Sequence, residues 1–388
     1  CELLFSLPLA MAAALLVTRQ DRRAASQLLM ALAAGALCAA ATLIKPTAVS
    51  LFGAALLWLG VARPLVLGRA AIARGLALGA VLVAGFAGTW GLAALYFRSL
   101  GVWDDLLFWA FEWTTLTYVP TGFSSFGWLQ RFATAYGLWY AGCAALLFLA
   151  ARAVVLAARR RADPTGVISL LALWSLAAFA GTLLGGRFYD HYFPALVAPL
   201  AALAGIGAAS TDLGWGRWPG RLVAAGTALP AAFCFVAGMN FEAANALFGD
   251  TRLPYEEVAG YVKARTRASD RVFVWGYYPL IYVGADRLAA TRFVGCHYLT
   301  GYAAVGLARH LPPHEEDKLG VPKGFETLLH ELEEHRAELI VDTAPANLHH
   351  WQRYPLERYP LLAEYVHSRY VREAEVGGNI IYRRKPAP

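Results

Sequence analysis

Apolar residues fill the first 239 positions of the chain in long blocks and do not alternate with polar ones. The blocks cover 3–17, 27–44, 47–62, 75–97, 132–157, 166–184, 193–210 and 221–239. A helix needs roughly 20 apolar residues to cross a hydrocarbon layer of ~30 Å, so the pattern predicts about eight membrane-spanning helices. Only Lys45-Pro46 separates the second block from the third. Two spans joined by a tight turn and one long bent helix both fit that break; two spans is the preferred reading. After residue 239 the pattern changes. A helix at 254–268 precedes a strand at 271–275, a helix at 323–337 precedes a strand at 338–342, and a helix at 356–368 precedes a hairpin of 370–376 and 379–384 bent at Gly377-Gly378. Helices alternating with short apolar strands predict a small soluble α/β domain. The expected architecture is therefore a polytopic α-helical membrane protein with a C-terminal soluble α/β domain, divided into 1–239 and 240–388.

Composition agrees with that division. The hydrophobic share is 58% and the charged share 16%, too apolar for a soluble fold of this length. Charge is split unevenly, with a net of +8 over 1–239 and −1 over 240–388. The basic excess sits in short loops between apolar blocks, which is a topology signal before it is a nucleic-acid signal. Alternate loops carry Arg19, Arg22, Arg23, Arg63, Arg69, Arg74, Arg152, Arg159, Arg160, Arg161, Arg217 and Arg221. The opposite loops carry Lys45, Arg98, Arg131 and Arg187. The positive-inside rule assigns the first set to the cytoplasm and residues 240–388 to the outside. The chain opens with Cys1-Glu2 and has no basic segment before its first apolar block. A signal peptide fits poorly, and the expectation is a chain whose first helices lie upstream. The five cysteines form no CxxC pair and no disulfide framework.

Ionisable groups within or beside a bilayer cost several kcal/mol unless they are paired or wet, so each is a functional candidate. Lys45 ends a block on the side where cations are scarce, and Pro46 cannot continue the helix ladder. It can pair with a phosphate or snorkel to headgroups. The turn Gly185-Gly-Arg-Phe-Tyr-Asp-His-Tyr-Phe-Pro194 concentrates Arg187, Tyr189, Asp190, His191 and Tyr192 at one membrane surface. Arg187 offers a planar fork suited to phosphate, or it caps the turn by pairing with Asp190. Glu2 opens the first block and reads as a base, a metal ligand or a helix N-terminal acid. Glu112 lies in the long outer loop 98–131 among Trp103, Trp109, Trp113, Tyr118 and Trp128, rings that favour the headgroup level. That loop is expected to form one or two short surface helices. Other signals fail. His330 and His335 are five apart where a zincin helix needs four. The adjacent pair His349-His350 is no complete metal site, and Gly205-Ile-Gly lacks a preceding strand.

The order of motifs is informative. Glu2 opens a span, a basic loop follows, and then comes the run ALAAGALCAAATLIKPTAVS at 31–50. The aromatic outer loop precedes GGRFYDHYFPALVAPLAALAG at 185–205, and RVFVWGYYP (271–279), IVDTAP (340–345) and GGNIIYRR (377–384) close the chain. This order resembles bacterial glycosyltransferases of the GT-C fold, in the protein O-mannosyltransferase and aminoarabinose-transferase-like superfamily (family 39). The resemblance implies an inverting transfer of a sugar from a polyprenyl-phosphate donor, outside the cytoplasm, to a lipid, glycan or protein acceptor. It implies membrane lipids as neighbours and no nucleic acid. It assigns phosphate binding to Lys45 and Arg187, lining roles to Tyr189, His191 and Tyr192, and acid or base roles to Glu2, Asp190 and Glu112. The family's main catalytic aspartate belongs to a first outer loop, which is upstream of Cys1. The resemblance fixes no cofactor; a divalent metal is the one candidate, although Trp113 stands where some relatives carry a histidine. Competing readings are a polymerase or ligase of lipid-linked glycans, a transporter, and a non-catalytic scaffold.

Overall fold

The computed structural model describes residues 2–18, 23–68, 71–123, 129–130, 132–134, 136–137, 143–160, 163, 166–184, 186–189, 192–209, 221–226, 228–229, 255–305 and 311–386. The chain forms two compact units, Cys1–Phe241 and Glu242–Pro388. The described part of the first is helical: α1 (Glu2–Thr18), α2 (Ala24–Ile44), α3 (Ser50–Leu57), α4 (Ala71–Ser99), α5 (Ala144–Arg160), α6 (Val167–Leu183) and α7 (Pro194–Ala209). Among the described residues, three helical stretches are long and apolar enough to cross a membrane: Ala24–Ile44, Pro46–Leu65 and Ala71–Ser99. The apolar helices Leu4–Val17, Val167–Leu183 and Pro194–Ala209 are shorter. At a rise of 1.5 Å per residue, a 17-residue helix is only about 26 Å long. The remaining expected spans, 132–157 and 221–239, lie partly outside the described residues.

The Lys45-Pro46 break produces two helices. A proline disfavours the helical conformation of the residue before it, and Lys45 is extended at φ −152° and ψ 120°. A short 3₁₀ turn, Pro46–Val49, then starts α3. Helix directions follow from residue pairings. Arg74 donates to Gln27, Gly35 faces the Leu82 backbone, and Trp90 donates to Thr42. The numbers rise together, so α2 and α4 run parallel. The α3 stretch runs back along α4, since a Cβ on Gly75 would meet the Leu59 carbonyl and one on Gly79 the Leu56 side chain, and it is antiparallel to α6, where the indole of Trp58 donates to the carbonyl of Gly166 and Thr47 lies beside Gly181. One end of the bundle therefore holds Lys45, Arg98 and Arg187. The other holds Arg23, Arg63 and Arg74. The pairings of Tyr136 with Thr182 and of Gly207 with Leu149 send Arg152 and Arg159 toward that same second end.

Small residues make many of the buried helix contacts: Ala12, Ala31, Ala34, Cys38, Ala41, Ala48, Ala54 and Ala55 are buried beside larger side chains such as Phe5, Leu51, Trp58 and Leu82. Other large residues face outward, including Leu92 and Leu95, which are 70% and 65% exposed. Small residues at helix contacts and leucines on the outside are what a lipid solvent selects, since lipid does not drive leucines together.

The second unit has a five-stranded sheet in the order β2-β1-β3-β5-β4. Its strands are β1 (Arg271–Trp275), β2 (Leu288–Ala289), β3 (Leu339–Asp342), β4 (Tyr370–Val376) and β5 (Asn379–Arg384). β1 pairs in parallel with β2 and β3, and β5 pairs antiparallel with β3 and β4. Strands buried on both faces read as continuous apolar runs, as β1 and β3 do. On one face Phe273, Trp275 and Ile340 pack against Leu328, Leu332, Leu362 and Val366. Those four come from α9 (Gly324–His335) and α10 (Pro360–Arg369). On the other face Val272, Val274, Leu339 and Val341 pack against Val258 and Val262 of α8 (Glu256–Arg265). The β4–β5 turn has φ of 53° at Gly377 and 76° at Gly378, a twist that suits a two-residue hairpin and strains any side chain.

Candidate functional site

The end of the bundle that holds Lys45 gathers a connected polar group. Residues 103–123, expected as a loop with short helices, form helical turns of which two are widened to π geometry, Phe108–Glu112 and Thr114–Tyr118. Tyr118 and Thr121 are three apart and so share a face. Arg187 donates to the Thr121 hydroxyl at 2.9 Å and to the Tyr118 carbonyl at 3.4 Å. Its guanidinium also lies 4.2 Å from the centre of the Tyr118 ring. The phenols of Tyr118 and Tyr192 are hydrogen-bonded at 2.9 Å. The Lys45 ammonium then sits 4.5 Å from the Tyr192 ring centre. Lys45, Tyr192, Tyr118 and Arg187 therefore form one chain of contacts linking the α2–α3 break, the 103–123 segment and the connection between α6 and α7.

Each contact has a local cause. The break at Pro46 turns Lys45 off the end of α2. Gly186 at φ 59° and Phe188 at φ 53° reverse the backbone on both sides of Arg187, so its side chain enters the bundle and is only 7% exposed. Phe188 is buried against Phe132 and Tyr136, which fixes the turn. A cation over an aromatic face gains roughly 0.5–2 kcal/mol, less than the cost of desolvating it. These rings help hold the two cations in position. Burial, with the Tyr192 phenol beside it, pushes the Tyr118 phenol above its ordinary range, so it stays neutral and able to donate.

Of the residues singled out from sequence, Lys45, Arg187 and Tyr192 are brought together. Tyr189 stacks edge-on to Tyr192 at 5.7 Å and is 39% exposed. Glu112 is exposed on the same 103–123 segment. Asp190 and His191 lie outside the described residues, and so does the Glu2 side chain, although its backbone opens α1. Tyr118 and Thr121 were missed as partners of Arg187; their three-residue spacing was the available signal. No group of three His, Cys, Asp or Glu able to hold a metal occurs among the described residues.

A second cluster lies in the C-terminal unit, past the carboxyl ends of β1 and β3, where open α/β sheets form crevices. His297 stacks on Tyr277 at 4.0 Å, and His349 contacts Tyr277 and Tyr278 at 5.6 and 4.9 Å. Burial lowers the His297 pKa to about 4 and raises the Asp342 pKa to about 7. His349 is thus a stacking residue. His335 contacts the Ala290 carbonyl at 2.8 Å, while His330 lines a groove with Glu326, Glu331, Glu334 and Arg292. Five residues apart on a helix, the two histidines point about 140° from each other.

Comparison with protein-family models, curated proteins and solved structures gives no match for this chain.

Proposed function

We propose that this chain is a membrane glycosyltransferase of the GT-C type, related to family 39. In this reading it takes a sugar from a polyprenyl-phosphate donor and transfers it with inversion to a hydroxyl on a lipid, glycan or protein. It works in a bacterial inner membrane as a multi-pass protein, with residues 240–388 outside the cytoplasm. The observation that carries the reading is the pairing of two cations, Lys45 and Arg187, through Tyr192 and Tyr118 at the arginine-poor end of the bundle.

The chemistry requires such a pair. The acceptor oxygen attacks the anomeric carbon, and the bond from that carbon to the phosphate oxygen breaks. The departing polyprenyl phosphate keeps the electron pair and gains negative charge. Fixed cations that meet this charge lower the barrier, because they need not reorganise as it develops. Arg187 supplies a bidentate fork and Lys45 a mobile point charge. The acceptor loses a proton to a carboxylate, for which Glu2, Asp190 and Glu112 are the candidates in this chain. The prenyl tail lies among outward-facing leucines.

The test is transfer of a radiolabelled sugar from polyprenyl phosphate by membranes carrying the protein. Lys45→Ala and Arg187→Ala each lower the rate by about 100-fold or more, the range for removing one preorganised charge-stabilising group, with normal expression. Undiminished transfer in both variants would falsify the assignment.

A further inference from the structure

The opposite end of the bundle holds a second cationic group with different features. Arg63 follows the widened turn Trp58–Ala62 and is 7% exposed. Its Nε and Nη1 are buried without a hydrogen-bond partner. The guanidinium sits 5.6 Å from the Trp58 ring. Arg74 acts on it as a like charge, while its own Nε and Nη2 both donate to Gln27. Asp163, on the same end, is engaged elsewhere. Its two oxygens accept from the Ile168 and Ser169 amides and the Ser169 hydroxyl at the start of α6. No ion pair to Arg63 occurs among the described residues.

A charged fork nine-tenths buried, with two donors unused and a like charge nearby, is costly by itself. Breaking a buried ion pair leaves the same arrangement behind, which suggests a partner that is an anion. The partner must offer at least two acceptor oxygens to a planar fork, and it must reach the arginine-rich end of an apolar bundle. We propose that Arg63, with Arg74 beside it, binds a phosphoryl group, as carried by the headgroup of an anionic phospholipid. Phosphate suits the bidentate geometry of arginine, and anionic lipids gather on the membrane face that positive loops prefer. Trp58 supports the site: its indole bond to the Gly166 carbonyl, 2.6 Å long, holds the ring in place beside Arg63. The site is at the other end of the bundle from Lys45 and Arg187, so it does not depend on the proposed transferase activity.

Purified protein in a neutral detergent is titrated with phosphatidylglycerol or with inorganic phosphate, and thermal unfolding is followed. Wild-type protein gains several degrees with the lipid, and the midpoint concentration rises about tenfold or more in Arg63→Met, the loss expected when charge-assisted bonds are removed. Without added lipid, Arg63→Met melts no lower than wild type, since it removes an uncompensated buried charge. A response to inorganic phosphate alone supports the same site with a free anion as its ligand. Native mass spectrometry of co-purifying phospholipid gives a second reading, with Arg74→Gln as the milder variant. The proposal is overturned if neither probe stabilises the wild type, or if Arg63→Met and Arg74→Gln respond and retain lipid as the wild type does.

Discussion

Asp342 ends β3 with its side chain 2% exposed, one carboxylate oxygen accepting from the Ala344 amide at 3.0 Å. Burial outweighs that bond and lifts its pKa to about 7. An acid whose folded pKa exceeds its unfolded value holds its proton more tightly when folded. Stability is then greatest at low pH and falls as pH rises from ~4, the ordinary aspartate value, through about 7. The loss is up to about 4 kcal/mol by the 1.36 kcal/mol per unit conversion. Asp342→Asn keeps the shape and an acceptor for the Ala344 amide but cannot ionise. Calorimetry between pH 5 and 8 should show the wild type losing stability that the variant keeps, with the variant the more stable at pH 8. Parallel pH profiles would remove this account of Asp342. Lys45 and Arg187 stood out in the sequence because cations are scarce in the loops on their side of the apolar blocks. Tyr118 was read only as a headgroup-level ring, and Thr121 and Asp342 were not singled out, because their roles depend on what the fold packs against them. Nothing in an apolar strand of four residues says whether its last position meets water.

Helix contacts in the bundle depend on glycine at points of closest approach. A Cβ on Gly85 would collide with the Leu32 carbonyl of α2, and one on Gly35 with the Leu82 carbonyl of α4. Each helix thus presents its glycine to the other's backbone, the arrangement that lets parallel helices approach without intervening side chains. Gly88, one turn further along α4, has nothing within 4 Å of a built Cβ. Overpacking a filled contact costs typically 1–3 kcal/mol. Gly85→Leu should therefore lower the unfolding temperature in detergent by several degrees, and Gly88→Leu should leave it nearly unchanged. Equal effects from the two would show that the α2–α4 contact does not limit stability. At this scale the sequence was most readable in the C-terminal unit. β1, β4 and β5 fall on the expected residues, and β3 starts one residue later than expected. Alternating helices and short β-branched runs leave few other solutions. The two-residue β2 was missed because so short a strand carries no periodicity. The apolar blocks 3–17, 166–184 and 193–210 match the helices Glu2–Thr18, Val167–Leu183 and Pro194–Ala209 to within one residue at each end.

Across the first unit, the strongest regularity is the segregation of charge. Arg23, Arg63 and Arg74 mark one end and Lys45, Arg98 and Arg187 the other, a division that follows from the parallel course of α2 and α4. The loop pattern had already separated these residues into two sets. In the proposed topology, the positive-inside rule assigns the arginine-rich end to the cytoplasm. The rule has a physical basis that can be tested on exposed positions. Tyr189 is 39% exposed at one end and Arg159 is exposed toward the other. In a background without the native cysteines, Tyr189→Cys should react with a membrane-impermeant maleimide in intact cells. Arg159→Cys should react only after the membrane is opened. If both label from outside, the two ends share one compartment and the donor site loses its membrane sidedness. If the order is reversed, the Lys45–Arg187 group faces the cytoplasm. A lipid-linked donor used outside the cell could then not reach it, while the Arg63 site would meet the outer leaflet, where anionic phospholipid is the poorer supply.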